Sequence, residues 1–518
     1  MEARGHPSFP PRRVYAVFGV PPELQAYAMA KYSRSSQGML ESIQELSQQQ
    51  AEEFLRTFYF QYGHRSIADM AHLVFGLEQV SILAAIAVVD EPVWDGQERS
   101  TRYQPFARTG WYVPREVAET PLAVRYQEAV SALFGEYERL TQELLERLVA
   151  VVPRPDDLSE SAYRRTLRAR AFDVTRGLLP LATHTSVGQV VSARVLERQI
   201  CRLLSSPYHE VREIAEALKD ACLRPAEAPL LEPLLAGDLA PEMAALLRPR
   251  VAPTLVRYTA PSAYEMETAA ALEEAARQYL APLGPPDRTR AVELAEPSED
   301  PVEEIVSTLL YRHDVEGHSY RQVREAVSAM SEAQRQEVFD LSVRRRGRHD
   351  DMLREHRCGY TLVFDVLVDL GAFRDLHRHR RCIQVAQPYT WGHGPDGVED
   401  VFLAGLGPEA GAAALADGLG RAYETALRAA ARAAAEVARH TARGADYLLP
   451  LAYRTRCLFK MDWAQAAYLI ELRTGTGGHF SYRRIAWEMY QELRRRYPAL
   501  AGPIRAHDPR EAVDLLAR

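Results

Sequence analysis

The chain has 518 residues, 47% hydrophobic and 26% charged, which is apolar material for more than one core and excludes wholesale disorder. A net charge of −7 argues against a general nucleic-acid binder, and no aromatic residues interleave with the basic ones as single-strand binding requires. Lys31, Lys219 and Lys460 are the only lysines among 63 Lys and Arg, so anion clamping by guanidinium forks is at hand, whereas Schiff-base chemistry has little to draw on. Cys201, Cys222, Cys358, Cys382 and Cys457 form no C-x-x-C pair, which disfavours a zinc ribbon or disulfide scaffold and fits a reducing compartment. The N-terminus lacks a signal-peptide core and no run reaches about 18 apolar residues. A cytoplasmic protein without a membrane partner is expected.

In chain order, residues 13–20 read as a strand, followed by helical segments and an apolar strand opening at Leu73-Val74-Phe75. The series then repeats. Leu362-Val363-Phe364 matches Leu73-Val74-Phe75 at an offset of 289, and Leu448-Leu449-Pro450-Leu451-Ala452 repeats Leu178-Leu179-Pro180-Leu181-Ala182 at 270. Helix openings at Arg212 and Arg483 match at 271. A fixed spacing of this kind points to duplicated domains. Proline density marks residues 226–290 as a connector holding a short helix at 265–280. The expected organisation is copy 1 at 1–225, the connector at 226–290 and copy 2 at 291–518. Copy 2 opens with a strand at 291–294, and the Ala- and Arg-rich stretch 409–445 reads as one long amphipathic helix. The class is α+β, each copy a small mixed sheet with a helical bundle.

The densest cationic cluster, Arg374, His377, Arg378, His379, Arg380 and Arg381, follows the apolar stretch 360–370. Unpaired buried guanidiniums are prohibitive, so the cluster marks a surface or a bound anion. His377-x-His379 is poor metal-ligand spacing beside so many cations, and no metal is expected. Counting back 289, copy 1 has Val89-Asp90-Glu91 at the place of 378–380, followed by Ser100-Thr101-Arg102-Tyr103. A hydroxyl and a guanidinium two residues apart can grip one phosphate.

Arg378-His379-Arg380 in one copy and Ser100-x-Arg102-Tyr103 in the other, with His64-x-Ser66 upstream, resemble the R-H-R and S-x-R-Y signature of the flavin-dependent thymidylate synthases, the ThyX family. Asp173-x-x-Arg176-x-x-Leu179-Pro180 resembles that family's E-x-x-R-x-x-L-P, Ser192-Ala193-Arg194 its N-A-R, and Leu472-Arg473 its nucleotide-binding L-R. Neither copy is complete. In copy 2 the family's serine and arginine fall on Pro388 and Thr390, its Gln on Asp375, its Asn on Asp462, and Arg176 becomes Asp446; in copy 1 Arg473 becomes Leu203, with Arg202 adjacent. The losses are complementary.

The resemblance implies FAD held by Arg378, His379, Arg380, His64, Ser66 and Arg194, and dUMP held by Ser100, Arg102, Arg176 and Arg473, the three arginines being the catalytic set. It implies reductive methylation of dUMP to dTMP with methylenetetrahydrofolate and NADPH. Because the family's sites lie between subunits, one composite pocket per chain is expected where the copies meet, and a homodimer would form a pseudo-tetramer. The alternative is a paralogue that binds flavin or nucleotide without making dTMP.

Overall fold

The computed structural model describes residues 17, 19–31, 39–44, 65–106, 109–510 and 515–516, with breaks within 237–246, at 297–299, within 348–351 and at 358–359. It is of the α+β class. Contacts divide it into two compact units: Met1–Leu73, Val191–Ile200 and Glu216–Thr259 in the smaller, and Val74–Val190, Cys201–Ala215 and Ala260–Arg518 in the larger. The three expected segments are a division of the sequence, and the compact units cut across them.

In the smaller unit the helix Pro22–Lys31 buries Leu24, Tyr27 and Ala28. The carboxylate of Glu23 accepts the backbone N–H groups of Thr254 and Leu255 at 2.8 and 2.7 Å, satisfying a proline-flanked segment whose donors have no ladder to join. The expected strand at 13–20 lies outside the described residues apart from Val17, Gly19 and Val20, which are not in a strand.

The larger unit holds the copy 2 sheet and all of the copy 1 sheet except residues 72–73 and 191–192. Strands β1 (His72–Ser81), β2 (Asp95–Glu98) and β3 (His184–Ser192) are ordered β1-β3-β2. Strands β4 (Val292–Ala295), β5 (Leu362–Asp369), β6 (Ile383–Ala386) and β7 (Arg454–Met461) are ordered β4-β5-β7-β6. The registered pairs β2/β3, β4/β5, β5/β7 and β6/β7 are antiparallel, where a mixed sheet was expected, since no parallel crossover joins these neighbours. β5 is buried at every residue, as its continuous apolar run requires of a strand covered on both faces.

The duplication is visible in the ladders. Asp95 to Glu98 pair with Val190 to Val187, and Ile383 to Ala386 pair with Lys460 to Cys457, the same register displaced by 288 on one strand and 270 on the other. The helices Ile82–Val89 and Leu370–Leu376 start from side-chain caps on Ser81 and Asp369, again 288 apart. The offset of 289 read at Phe75 therefore shortens by one. The extra residue of β1 is absorbed at Gln79, whose φ is 55° and where the alternation of burial breaks, the behaviour of a one-residue bulge. Copy 1 consequently has Asp90, Glu91 and Pro92 opposite Arg378, His379 and Arg380, a correction of one position.

The two repeats of Leu-Leu-Pro-Leu-Ala pair with each other. Leu181 N–H donates to Leu449 O and Leu451 N–H to Leu179 O, each at 2.9 Å, while Ala182 N–H donates to Tyr447 O at 2.8 Å and Ala452 N–H to Gly177 O at 2.9 Å. Each bond maps onto its partner by adding or subtracting 270, so the copies meet about a local twofold axis. Gly177 is required here, since a Cβ would stand 2.1 Å from the Tyr423 hydroxyl.

Two expectations need revision. The stretch 409–445 forms three helices, Pro408–Ala416, Leu419–Ala438 and Ala442–Asp446, because Gly418 at φ 82° interrupts the helical path. Between β4 and β5, copy 2 carries the helices Pro301–His313, Tyr320–Ser328 and Glu332–Val343 where fewer were read. They pack with Leu272, Leu280, Val363 and Leu458 into one core, and Ala263–Leu280, expected at 265–280, joins it.

Leu181→Ala and Leu449→Ala, at sites 0 and 1% exposed, should each lower unfolding free energy by about 2 to 5 kcal/mol. Denaturant unfolding checks this, and non-additive losses in the double variant are expected because the segments are paired.

Candidate functional site

The loop after β2 turns at Ser100, whose carbonyl accepts the N–H of Gln104 at 3.1 Å and whose hydroxyl accepts the N–H of Arg102 at 3.2 Å. The turn aims Arg102 inward, where it is 7% exposed. Its Nε and Nη2 donate to the two carboxylate oxygens of Asp173 at 2.8 and 3.1 Å, a planar fork on a planar acceptor. Nη1 donates to the Tyr482 hydroxyl at 3.0 Å and Nη2 also to Gly477 O at 3.3 Å. Burial works against the charge of Arg102, and Asp173 more than restores it, so its pKa stands above the usual value.

Arg176 lies where the helix Glu160–Thr175 tightens into a 3-10 turn. It donates to Asp375 at 3.3 and 3.4 Å and to Thr101 at 3.5 Å, while its buried Nε has no acceptor. Arg473, on the helix Trp463–Thr474, donates from Nε to His379 Nε2 at 2.8 Å and from Nη2 to Asp375 O at 2.6 Å. An arginine can only donate, so His379 Nε2 must be an acceptor and the ring neutral. Burial, with Arg473 and Arg380 nearby, holds its pKa down at about 3. Burial alone would raise the Asp375 pKa, but Arg176, Arg102, Arg378 and Arg473 outweigh it and keep the group ionised.

The structure thus brings together Ser100, Arg102 and Arg176 from copy 1 with His379 and Arg473 from copy 2. Tyr482 and Asp375 are the joints: the guanidiniums of Arg102 and Arg473 lie 5.7 and 5.2 Å from the Tyr482 ring centroid. Arg380 stacks on Trp94 at 4.4 Å, its buried Nε has no acceptor, and burial together with Arg378 lowers its pKa. Arg378 is 3.9 Å from Glu98, which also takes an ion pair from Arg374. Trp94, Arg378 and Arg380 line one shallow cleft.

The other predicted residues lie in the smaller unit. Ser66 is exposed and its carbonyl accepts the N–H of Asp69. Arg194 pairs with Asp69 at 2.8 Å, so these two share one turn. His64 lies outside the described residues.

At the place related by the local twofold, the charges are reversed. Arg202 Nε donates to Glu91 at 2.7 Å and Nη2 to Ala87 O at 2.8 Å, the bonds Arg473 makes to His379 and Asp375. Arg202, rather than Leu203, is therefore the counterpart of Arg473. Asp90, opposite Arg378, binds Arg354 at 2.6 Å. Asp446, opposite Arg176, accepts from Tyr208 at 2.7 Å. Carboxylates here consume the cations that the first place keeps in excess.

The Thy1 model, described as thymidylate synthase complementing protein, matches residues 20–226 and again 309–499. The chain belongs to the Thy1 family. A UPF0159 protein of Thermoplasma acidophilum is 26% identical over 93% of this chain and 94% of its own length, and one of Chlamydia muridarum is 25% identical over 94% and 90%. Both align with this chain over nearly their whole length. A crystal structure of the flavin-dependent thymidylate synthase ThyX from Helicobacter pylori, complexed with FAD and dUMP, is 15% identical over 45% of this chain and 95% of that one, with a TM-score of 0.23.

Tyr482, Trp94 and Glu98 were not singled out from the sequence as site residues. Tyr482 stands beside Arg483 at a helix opening, and nothing in the sequence ties it to the site.

Asp446 supplies a test. Burial raises its pKa to about 6, against Tyr208 and Arg443. A carboxyl raised in the folded state is proton-loaded there after the unfolded chain has ionised, so stability should fall between about pH 4 and pH 6 and then level off. Asp446→Asn should flatten that slope in melting temperature against pH.

Proposed function

We propose that this Thy1 protein is a flavin-dependent thymidylate synthase, converting dUMP to dTMP with methylenetetrahydrofolate and NADPH through FAD at one composite site per chain. The observation that carries the reading is that the signature arginines of copy 1 bond to copy 2 beside its own signature residues: Arg102 to Tyr482 and Arg176 to Asp375, with Arg473 bonded to Asp375 and His379. Two degenerate copies with no shared task have no reason to complete each other in one place.

The residues present fit FAD. The unsatisfied Nε of Arg380, its stack on Trp94 and the excess of positive charge around Arg378 suit an anionic, aromatic group. Arg378, His379 and Arg380 would hold it. Bound FAD would supply the hydride, taken from NADPH. The chain's own contribution is position and charge. Arg102 and Arg176 are permanently protonated and held by carboxylates, so they can stabilise negative charge developing on a pyrimidine without reorganising. Ser100 and Arg473 complete the grip on dUMP. His379, being neutral, acts by fixing Arg473.

A second reading, a re-specialised paralogue, is favoured by Asp375, which occupies Arg176 where the family carries an amide. Among the described residues no helix is long and apolar enough to cross a membrane, and a cytoplasmic homodimer forming a pseudo-tetramer is part of the proposal.

Turnover of dUMP with NADPH and methylenetetrahydrofolate tests the reading. Arg102→Ala and Arg380→Ala should each lower kcat/KM by about 100-fold or more. Activity surviving both substitutions overturns the composite site, and tight FAD binding with no dTMP formed selects the second reading. Asp375→Gln should then increase dUMP affinity, measured by calorimetry.

A further inference from the structure

A second cation-rich cleft, of about 670 Å³, opens beside the end of the copy 2 sheet where Asp369 pairs with Arg454, and none of its lining residues belongs to the Arg102 cluster. Its floor is Arg454, the first residue of β7, and its sides are Arg288 and Arg290 ahead of β4 and Arg484 and Glu488 on the helix Phe480–Arg496. The volume lies in the range of small-ligand sites, but the lining is charged rather than apolar.

The charges do not balance. Asp396 is the one carboxylate shared by Arg484 at 2.8 Å and Arg454 at 3.9 Å. Arg454 turns its remaining donors to the carbonyls of His393 and Gly394. Arg288 is exposed and has no ion-pair partner among the described residues. Arg456, next in β7 on the same face, is already matched by Asp365 at 2.8 Å. The buried Nε of Arg484 has no acceptor. Burial and the neighbouring Arg484, Arg288 and Arg456 lower the pKa of Arg454 against the pull of Asp396, which is the mark of uncompensated positive potential. Arg288, Arg454 and Arg484 against Asp396 and Glu488 leave a net positive charge for an anionic group. One turn further along the same helix Glu488 lines the cleft, an acceptor that suits a hydroxyl or amino donor a few bonds away from the phosphate, while Glu492 is taken by Arg495 at 2.6 Å.

We propose that this cleft binds a phosphomonoester, its phosphate on Arg288, Arg454 and Arg484 and its hydroxyl- or amine-bearing body against Glu488, at a site separate from the Arg102 cluster. The ligand class is that of sugar phosphates and nucleoside monophosphates. The charge arrangement disfavours a neutral sugar, which would leave the guanidiniums unmatched, and a polyanion, which Asp396 and Glu488 would repel.

Calorimetric titration of the full-length protein with ribose 5-phosphate, inorganic phosphate and ribose tests this. Ribose 5-phosphate should bind saturably, inorganic phosphate more weakly and ribose not detectably. Arg288→Glu, at an exposed position that leaves the fold untouched, should weaken the ribose 5-phosphate step at least tenfold, and Glu488→Gln should weaken ribose 5-phosphate but not inorganic phosphate. Arg102→Ala should leave the step unchanged. The proposal is overturned if Arg288→Glu titrates like the wild type, or if the step disappears in Arg102→Ala instead. Turnover of dUMP does not enter either criterion, so failure here and failure of the synthase reading are told apart.

Discussion

Four backbone hydrogen bonds between Gly177–Ala182 and Tyr447–Ala452 set the geometry of everything around them. Each segment lacks a neighbouring strand of its own, and proline removes one donor from each, so neither can close a ladder alone. Paired with its repeat, each satisfies the other, and the leucines between them are buried completely or nearly so. The pairing fixes the local twofold, and the twofold fixes what faces what. Arg176 stands one residue before the first segment, which sets it against the copy 2 helix Leu370–Leu376 that carries Asp375.

Around that axis the backbone is kept and the charges are not. Ser81 donates to Glu210 in copy 1 at 2.5 Å, and in copy 2 Ser481 donates to Asp369, hydroxyl and carboxylate having changed places while the cap on the following helix survives. The same exchange at larger scale separates the two pseudo-equivalent places. One has Arg102, Arg176 and Arg473 facing a neutral histidine, Asp173 and Asp375. The other has Glu91, Asp90 and Asp446, which neutralise its cations and leave no anion-binding capacity. A chain with both halves in one polypeptide is free to differentiate them, because each copy now has a fixed neighbour. A homotetramer of identical chains has no such freedom.

The duplication was legible because Leu-Leu-Pro-Leu-Ala is a segment whose every residue is constrained, by burial or by proline, and such segments resist drift. The pairing of the site residues was legible only through the complementary losses in the two copies. What could not be read was register at single-residue precision: the bulge at Gln79 shifts the copies by one, and it depends on a left-handed residue that carries no glycine or asparagine signal. Arg202 standing in for Arg473 is the same kind of miss, since a long side chain reaches the same acceptors from an adjacent helix position. Gly418 was visible, but within an alanine-rich run its break looked tolerable to a helix. Tyr482 was invisible as a site residue because its role comes from the neighbour it meets across the twofold.

The account stands on one productive place per chain, with its twofold counterpart closed by carboxylates. Flavin stoichiometry tests this most directly. Desalted protein titrated with FAD, and then with dUMP while the visible absorbance is followed, should take up one FAD per chain and show a shift of the flavin bands at one dUMP per chain. Two FAD per chain, or a flavin spectrum indifferent to dUMP, would contradict it.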